Sequence, residues 1–312
     1  MADLAGWHVV LGATGGAGRA LVAELVRQGR RVRAVSRRAT GPWPKGVEAV
    51  SADLLQSEDV RKVCRDAAVV CHAANVPYSQ WQGVLPAIAD NVITGASAAD
   101  AVLVVVDNLY MYGPLSGPMT EETLRRASGS KGQLRLRLEE TFLAAHASRQ
   151  VGVAIGRGSD FYGPQANSAV NQLVITPALR VNTASWIGSL DAPHTLTYLP
   201  DFARGLITLG TNARAWGEVW HIPSGPPVTG RTLITEVYEE LGQLPRMRRL
   251  GRGMMMVAGL FNRQIREARE VLYQFEQPFV MDASKFEQVF GATFTPLREG
   301  IRQTLSALRS AS

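Results

Sequence analysis

Seven residues near the start of the chain, Gly12-Ala-Thr14-Gly15-Gly16-Ala17-Gly18, have the composition of a turn built to hold an anion. The glycines permit a tight bend and let backbone amides approach a diphosphate, and the last lets a following helix lie close to the preceding strand. Such a diphosphate sits at a helix N-terminus, where free N–H groups and the helix dipole favour negative charge. Some twenty residues on, where an Asp or Glu would hold a ribose 2′-hydroxyl, the chain reads Val35-Ser36-Arg37-Arg38, with no acidic residue between Glu24 and Glu48. Guanidinium groups bind a 2′-phosphate through charge-assisted bonds, so NADP(H) is the expected cofactor, with Ser36 adding a hydroxyl. No two histidines have helical metal spacing, and no GxSxG elbow or Walker-type loop is present. Metal chemistry is therefore not expected.

The elements around these residues are those the chemistry needs. Trp7–Leu11 is an apolar run that feeds the glycine turn, and Leu21, Val22, Leu25 and Val26 then recur at helical spacing up to Gly29. Further strands are expected at Val32–Val35, Val47–Val50, Val69–Cys71, Val102–Val106 and Val151–Ile155, with helices at Ser57–Arg65 and from about Gln133 to Ala147. Strands alternating with helices, and apolar on both faces, predict a doubly wound parallel α/β sheet of Rossmann type with a smaller C-terminal substrate lobe. A strand at Thr195–Leu199 and a helix at Phe202–Leu209 are expected to return to that sheet. The predicted dinucleotide domain is thus 1–163 plus 191–222, and the substrate lobe 164–190 plus 223–312.

Composition limits the partners. With 46% hydrophobic and 19% charged residues among 312, the chain has enough apolar content for a sizeable core. Its net charge of +6 comes without an RNA-binding or helix-turn-helix signal, so no nucleic acid is expected. No apolar run is long enough to span a bilayer, and no secretory signal is read at the start, so a soluble cytoplasmic protein without integral membrane association is expected. The arginines of 246–252 precede Gly-Met-Met-Met-Val-Ala-Gly-Leu-Phe261. They are read as an exposed turn entering a partly buried helix, with a membrane-surface segment as the other reading. Cys64 and Cys71 lie in unrelated contexts and are expected as free thiols.

Taken together, these residues resemble the extended short-chain dehydrogenase/reductases, the group that contains nucleotide-sugar epimerases and dehydratases, along essentially the whole chain. The glycine turn resembles the family's nucleotide turn, and Asp53-Leu54 the pair beside the adenine. His72-Ala73-Ala74-Asn75 resembles the fourth-strand motif whose small residues let the cofactor pass. Tyr112-Gly113, Arg157 with Phe161-Tyr162-Gly163-Pro164, Thr197–Ala203, Asp282–Lys285 and Phe290-Gly291 resemble later family segments. The catalytic set departs from the family. Asn108 stands where a Ser or Thr is usual, and no Tyr-x-x-x-Lys lies between Gly113 and Arg157. Counting back from Arg157, with Glu139 as the helix glutamate, puts Lys131 at the tyrosine position and Arg135 at the lysine position.

The resemblance implies an atypical NADP(H)-dependent oxidoreductase of a small carbonyl or alcohol substrate. In it, Asn108 donates to a carbonyl oxygen, Arg135 holds the nicotinamide ribose, and Lys131 or Tyr110 moves the proton. A non-catalytic NADP(H)-binding sensor or scaffold, and an epimerase or dehydratase with tightly bound NAD, are the alternatives. A small-molecule substrate is expected, and a homo-oligomer is left open.

Overall fold

The computed structural model describes residues 6–127, 129–261, 266–267 and 269–310. Two compact units divide the chain. The first takes the described residues up to Asn108, then Leu134–Arg157 and Phe202–Ile222. The second takes Leu109–Gln133, Gly158–Asp201 and the described residues from Pro223 onward.

The first unit is a seven-stranded sheet flanked by helices. Its strands are β1 (Trp7–Leu11), β2 (Val32–Ser36), β3 (Glu48–Ser51), β4 (Ala67–His72), β5 (Val102–Asp107), β6 (Val153–Arg157) and, later in the chain, Glu218–His221. Every pairing is parallel. The spatial order runs Glu218–His221, β6, β5, β4, β1, β2, β3. Central strands buried on both faces must be apolar throughout, and Val9, Val10, Leu11, Val70, Leu103 and Val104 are fully buried. The doubly wound α/β fold is therefore present. Cys64 and Cys71 lie inside it as free thiols, the pKa of each pushed up to about 12 by burial.

Helices α1 (Gly16–Arg27), α2 (Ser57–Cys64), α3 (Trp81–Ala98) and α4 (Ser130–Ala147) connect these strands. Helix α3 is hidden in the sequence by Gly83, Pro86 and Gly95, which interrupt its apolar run. Trp81, Leu85, Ile88, Val92 and Ala96 are all inside and share one helical face, whose packing holds the helix despite the glycines and proline.

One expectation is corrected. The strand at Leu196–Tyr198 does not join the large sheet; it pairs in parallel with Asp160–Tyr162 as a separate two-stranded sheet. The open edge of β6 is taken instead by Glu218–His221, in register from Ala154 to Arg157. A ladder edge accepts one neighbour, so the earlier strand pairs elsewhere. These short strands are β7 (Asp160–Tyr162) and β9 (Leu196–Tyr198), with β8 at Ala184–Ile187 and β10 at Glu218–His221.

The second unit adds β11 (Met247–Leu250), which pairs with β8. Its core gathers Tyr162, Val174, Trp186, Tyr198, Leu233, Tyr238, Phe275 and Ile301. Among the described residues no helix is long and apolar enough to cross a membrane.

Candidate functional site

The glycine turn lies where the strand order reverses. In open parallel sheets the crevice at that switch point is where ligands bind. Here β1 is flanked by β2 and β4, and the turn follows β1. Gly12 and Ala13 donate their N–H groups to the Val35 carbonyl at 3.0 Å each, while Ala73 N–H donates to Leu11 at 2.9 Å. The ends of three strands are thereby tied around the turn.

Its glycines divide by what requires them. Gly12 has φ +81°, and a Cβ there would sit 2.4 Å from Ala74 Cα. A Cβ on Gly18 would meet the Gly12 carbonyl oxygen at 2.3 Å. These two are required by the chain's own packing. Gly15 differs: its backbone is extended at φ −74°, and a Cβ there would meet only the Gly12 oxygen at 3.4 Å. Nothing inside the described chain demands a glycine at this exposed position. Gly15 is also the N-cap of α1, with no side chain accepting from the helix's first amides. A turn open on that side, beside uncapped donors, fits a diphosphate.

Thr14 is exposed and its carbonyl accepts from Arg19 Nε at 3.0 Å. At the end of β2, Arg37 and Arg38 project into solvent, and neither guanidinium has an ion-pair or hydrogen-bond partner among the described residues. Their backbone is held in place: Ser36 Oγ donates to the Arg38 carbonyl at 2.5 Å and Ser51 Oγ to the Arg37 carbonyl at 2.9 Å. The Ser36 proton is thus committed to the turn. Arg31 and Arg33 are spent on architecture, packed over the Trp7 ring at 4.3 and 4.8 Å, with Arg33 also paired to Glu48 at 2.9 Å.

Asp53 shapes its own turn, its Oδ1 accepting from Leu55 N–H at 3.0 Å, and the Leu54 carbonyl accepts from Asn91 on α3 at 2.9 Å. Asn75 does the same locally, its Oδ1 accepting from Val76 N–H at 2.9 Å.

A charge network closes the ends of β5 and β6. Arg157 is fully buried and donates through Nε to Asp107 at 2.9 Å and through Nη2 to Glu139. Arg135 reaches the other Asp107 oxygen at 3.6 Å and stacks 4.3 Å over the Trp81 ring. Its Nε is buried without a partner, as is Nδ1 of His72 at the end of β4. Burial first, and the nearby Arg135 charge second, lower the His72 pKa to about 4. Orphaned buried polar atoms of this kind suit a polar ligand. Asn108, half-buried, follows directly on Asp107.

Lys131 lies elsewhere, in the second unit. With a helix expected only from about Gln133, the sequence leaves it outside; instead it is buried within the first turn of α4. Its Nζ meets Glu267 at 3.1 Å and Glu270 at 3.4 Å. Glu270 also accepts from Lys131 N–H at 2.7 Å and Ser130 Oγ at 2.9 Å, which caps the helix start with a carboxylate. Gly129 makes room for it, since a Cβ there would lie 2.2 Å from Glu270 Oε1. No local signal in the sequence announces Glu270, 139 residues from Lys131.

Tyr110 is half-buried at the start of a short 3-10 turn, whereas Tyr112 is fully buried, with Arg125 5.7 Å from its ring. His194 is structural: it bonds Asp160 at 2.8 Å and the Gln274 carbonyl at 3.1 Å, and it stacks on Phe275 at 5.1 Å.

No match to a curated protein was found. Solved structures share the fold: MoeE5 in complex with UDP-glucose and NAD, at 23% identity and TM-score 0.79, covers 98% of this chain and 99% of its own. UDP-glucose 4-epimerase of Thermus thermophilus in complex with NAD follows at 17% and 0.79, covering 98% and 100%. The dTDP-glucose 4,6-dehydratase of Bacillus anthracis str. Ames in complex with NAD has 16% identity and TM-score 0.80, covering 98% and 97%. The model of the NAD dependent epimerase/dehydratase family matches residues 8–222, most of the chain, and this protein belongs to that family.

Proposed function

We propose that this protein binds NADP(H) and acts as an oxidoreductase on a small carbonyl or alcohol substrate, with side chains other than the family's usual serine, tyrosine and lysine. The observation that carries the reading is the end of β2, where Arg37 and Arg38 are exposed and uncommitted and no carboxylate is near in sequence. Two guanidiniums suit the dianionic 2′-phosphate, which a carboxylate would repel. The open side of the turn at Gly15, with Gly16 and Ala17 opening α1, suits the diphosphate. Ala73 and Ala74 leave room for the cofactor, and Asp53-Leu54 would border the adenine.

Bound there, the nicotinamide supplies hydride donation or acceptance, and the chain must hold the substrate oxygen and move a proton. Asn108 donates its amide N–H to that oxygen. Arg135, whose Nε is unpartnered, would hold the nicotinamide ribose. Tyr110, two residues beyond Asn108, provides the exchangeable proton. Lys131 is engaged by two carboxylates, Glu267 and Glu270.

A second reading is an epimerase or dehydratase with tightly held NAD, favoured by the NAD complexes among the similar structures. Calorimetric titration with NADPH, NADH and their oxidised forms tests both. NADPH binding about tenfold or more tighter than NADH is expected from one charged contact. Tighter NADH binding favours the second reading, and no heat with any dinucleotide overturns both. NADPH consumption with an aldehyde and ketone panel separates an enzyme from a sensor that binds without turnover.

A further inference from the structure

Between Glu240 and Glu267 the chain has no carboxylate side chain but six arginines, at 246, 248, 249, 252, 263 and 266. The whole chain carries a net charge of +6, so this segment holds the entire excess and the remainder is balanced. The cofactor site does not account for it. The same segment contains helix α8 (Arg252–Phe261), in which Met254, Met256, Val257, Leu260 and Phe261 are exposed. Leu260 and Phe261 are 73% and 88% exposed, respectively. At about 100° per residue these five side chains form one continuous arc of roughly 160°, with Met255 facing the other way into the protein. Nothing polar interrupts that arc. Leu244, just before β11, adds another apolar side chain at 85% exposure.

We propose that α8 and its flanking arginines dock on an anionic lipid surface. A helix with a bare apolar face lies in the headgroup region, its side chains reaching the acyl boundary, while arginines keep their charges among lipid phosphates. Arg246 and Arg249 have no side-chain partner among the described residues and are available for this. Arg248 is bonded to Ser185 and Arg252 to Glu276, so these two contribute less. A second copy of the chain is a poorer occupant, because a two-fold contact would bring two carboxylate-free arginine clusters together. A nucleic acid would match the charge but leave the apolar arc unused.

The test is co-sedimentation of the full chain with vesicles of phosphatidylglycerol and phosphatidylcholine, against phosphatidylcholine alone. Binding to the anionic vesicles, weak binding to the neutral ones and loss in high salt are expected. The double variant Leu260→Gln/Phe261→Gln should bind about tenfold or more weakly, and Arg246→Ala/Arg249→Ala should lose the preference for anionic lipid. Both changes are on exposed side chains, and an unchanged melting temperature verifies folding. Equal binding to the two vesicle types, no effect of either variant, or a dimer by light scattering that the Gln variant dissociates would each overturn the proposal.

Discussion

Two pairs of arginines sit in the same unit and have opposite fates. Arg157 and Arg135, at the ends of β6 and on α4, are enclosed with Asp107 and Glu139. Arg37 and Arg38, at the end of β2, stand in water without an ion-pair partner among the described residues. A guanidinium is costly to bury unless paired, so the first pair implies its acids, and Arg157 is held to the architecture by both of them. A guanidinium in solvent costs nothing to leave unpaired and keeps its donors for a ligand. The difference separates architecture from recognition more sharply than residue type does.

The largest effect should come from breaking the enclosed pair. Arg157→Met removes the buried guanidinium that joins Asp107 to Glu139 and leaves Asp107 with Arg135 at 3.6 Å, and a loss of about 3–5 kcal/mol is expected by denaturant unfolding. A loss no greater than that of a surface change would make this network dispensable. Acid comes next. Burial holds the pKa of both His72 and His8 at about 4, below the unfolded value near 6.5, with Arg135 and Arg30 as second causes. As pH falls from 6.5 toward 4 the unfolded chain takes up protons that the folded one refuses. Stability therefore drops with falling pH, by up to about 1.4 kcal/mol per unit for each histidine. Melting curves across that range should show the slope, and His72→Gln should make it shallower.

The exposed pair gives a smaller effect of another kind. Arg37→Ala/Arg38→Ala should weaken NADPH binding by about 1.5–3 kcal/mol in calorimetry, leave NADH binding alone, and move the melting temperature little. A matching fall in stability would mean that these arginines are structural after all. The smallest effect belongs to the Arg231–Asp191 pair, exposed on both sides. Arg231→Ala should leave the melting temperature unchanged, since solvent screens such pairs.

What the sequence makes legible follows from the range of the interactions. The glycine turn is contiguous, so strand, turn and helix can be read together, and β5 announces itself as Val102–Val106. The start of α4 cannot be placed from its own residues, because its cap is Glu270, delivered from far along the chain. Leu196–Tyr198 escapes correct placement for a related reason: its apolar pattern marks a strand but not which edge is free. Arg135 is found by counting from Arg157, yet its seat over Trp81 is not, since α3 carries too much glycine and proline to be read as a helix.

The two buried thiols give the molecule an internal clock. Held as protonated sulfhydryls, Cys71 in a central strand and Cys64 at the end of a peripheral helix ignore alkylating reagents until their surroundings open. Their separate labelling rates in native buffer would therefore time how often the margin of the sheet lets go relative to its centre.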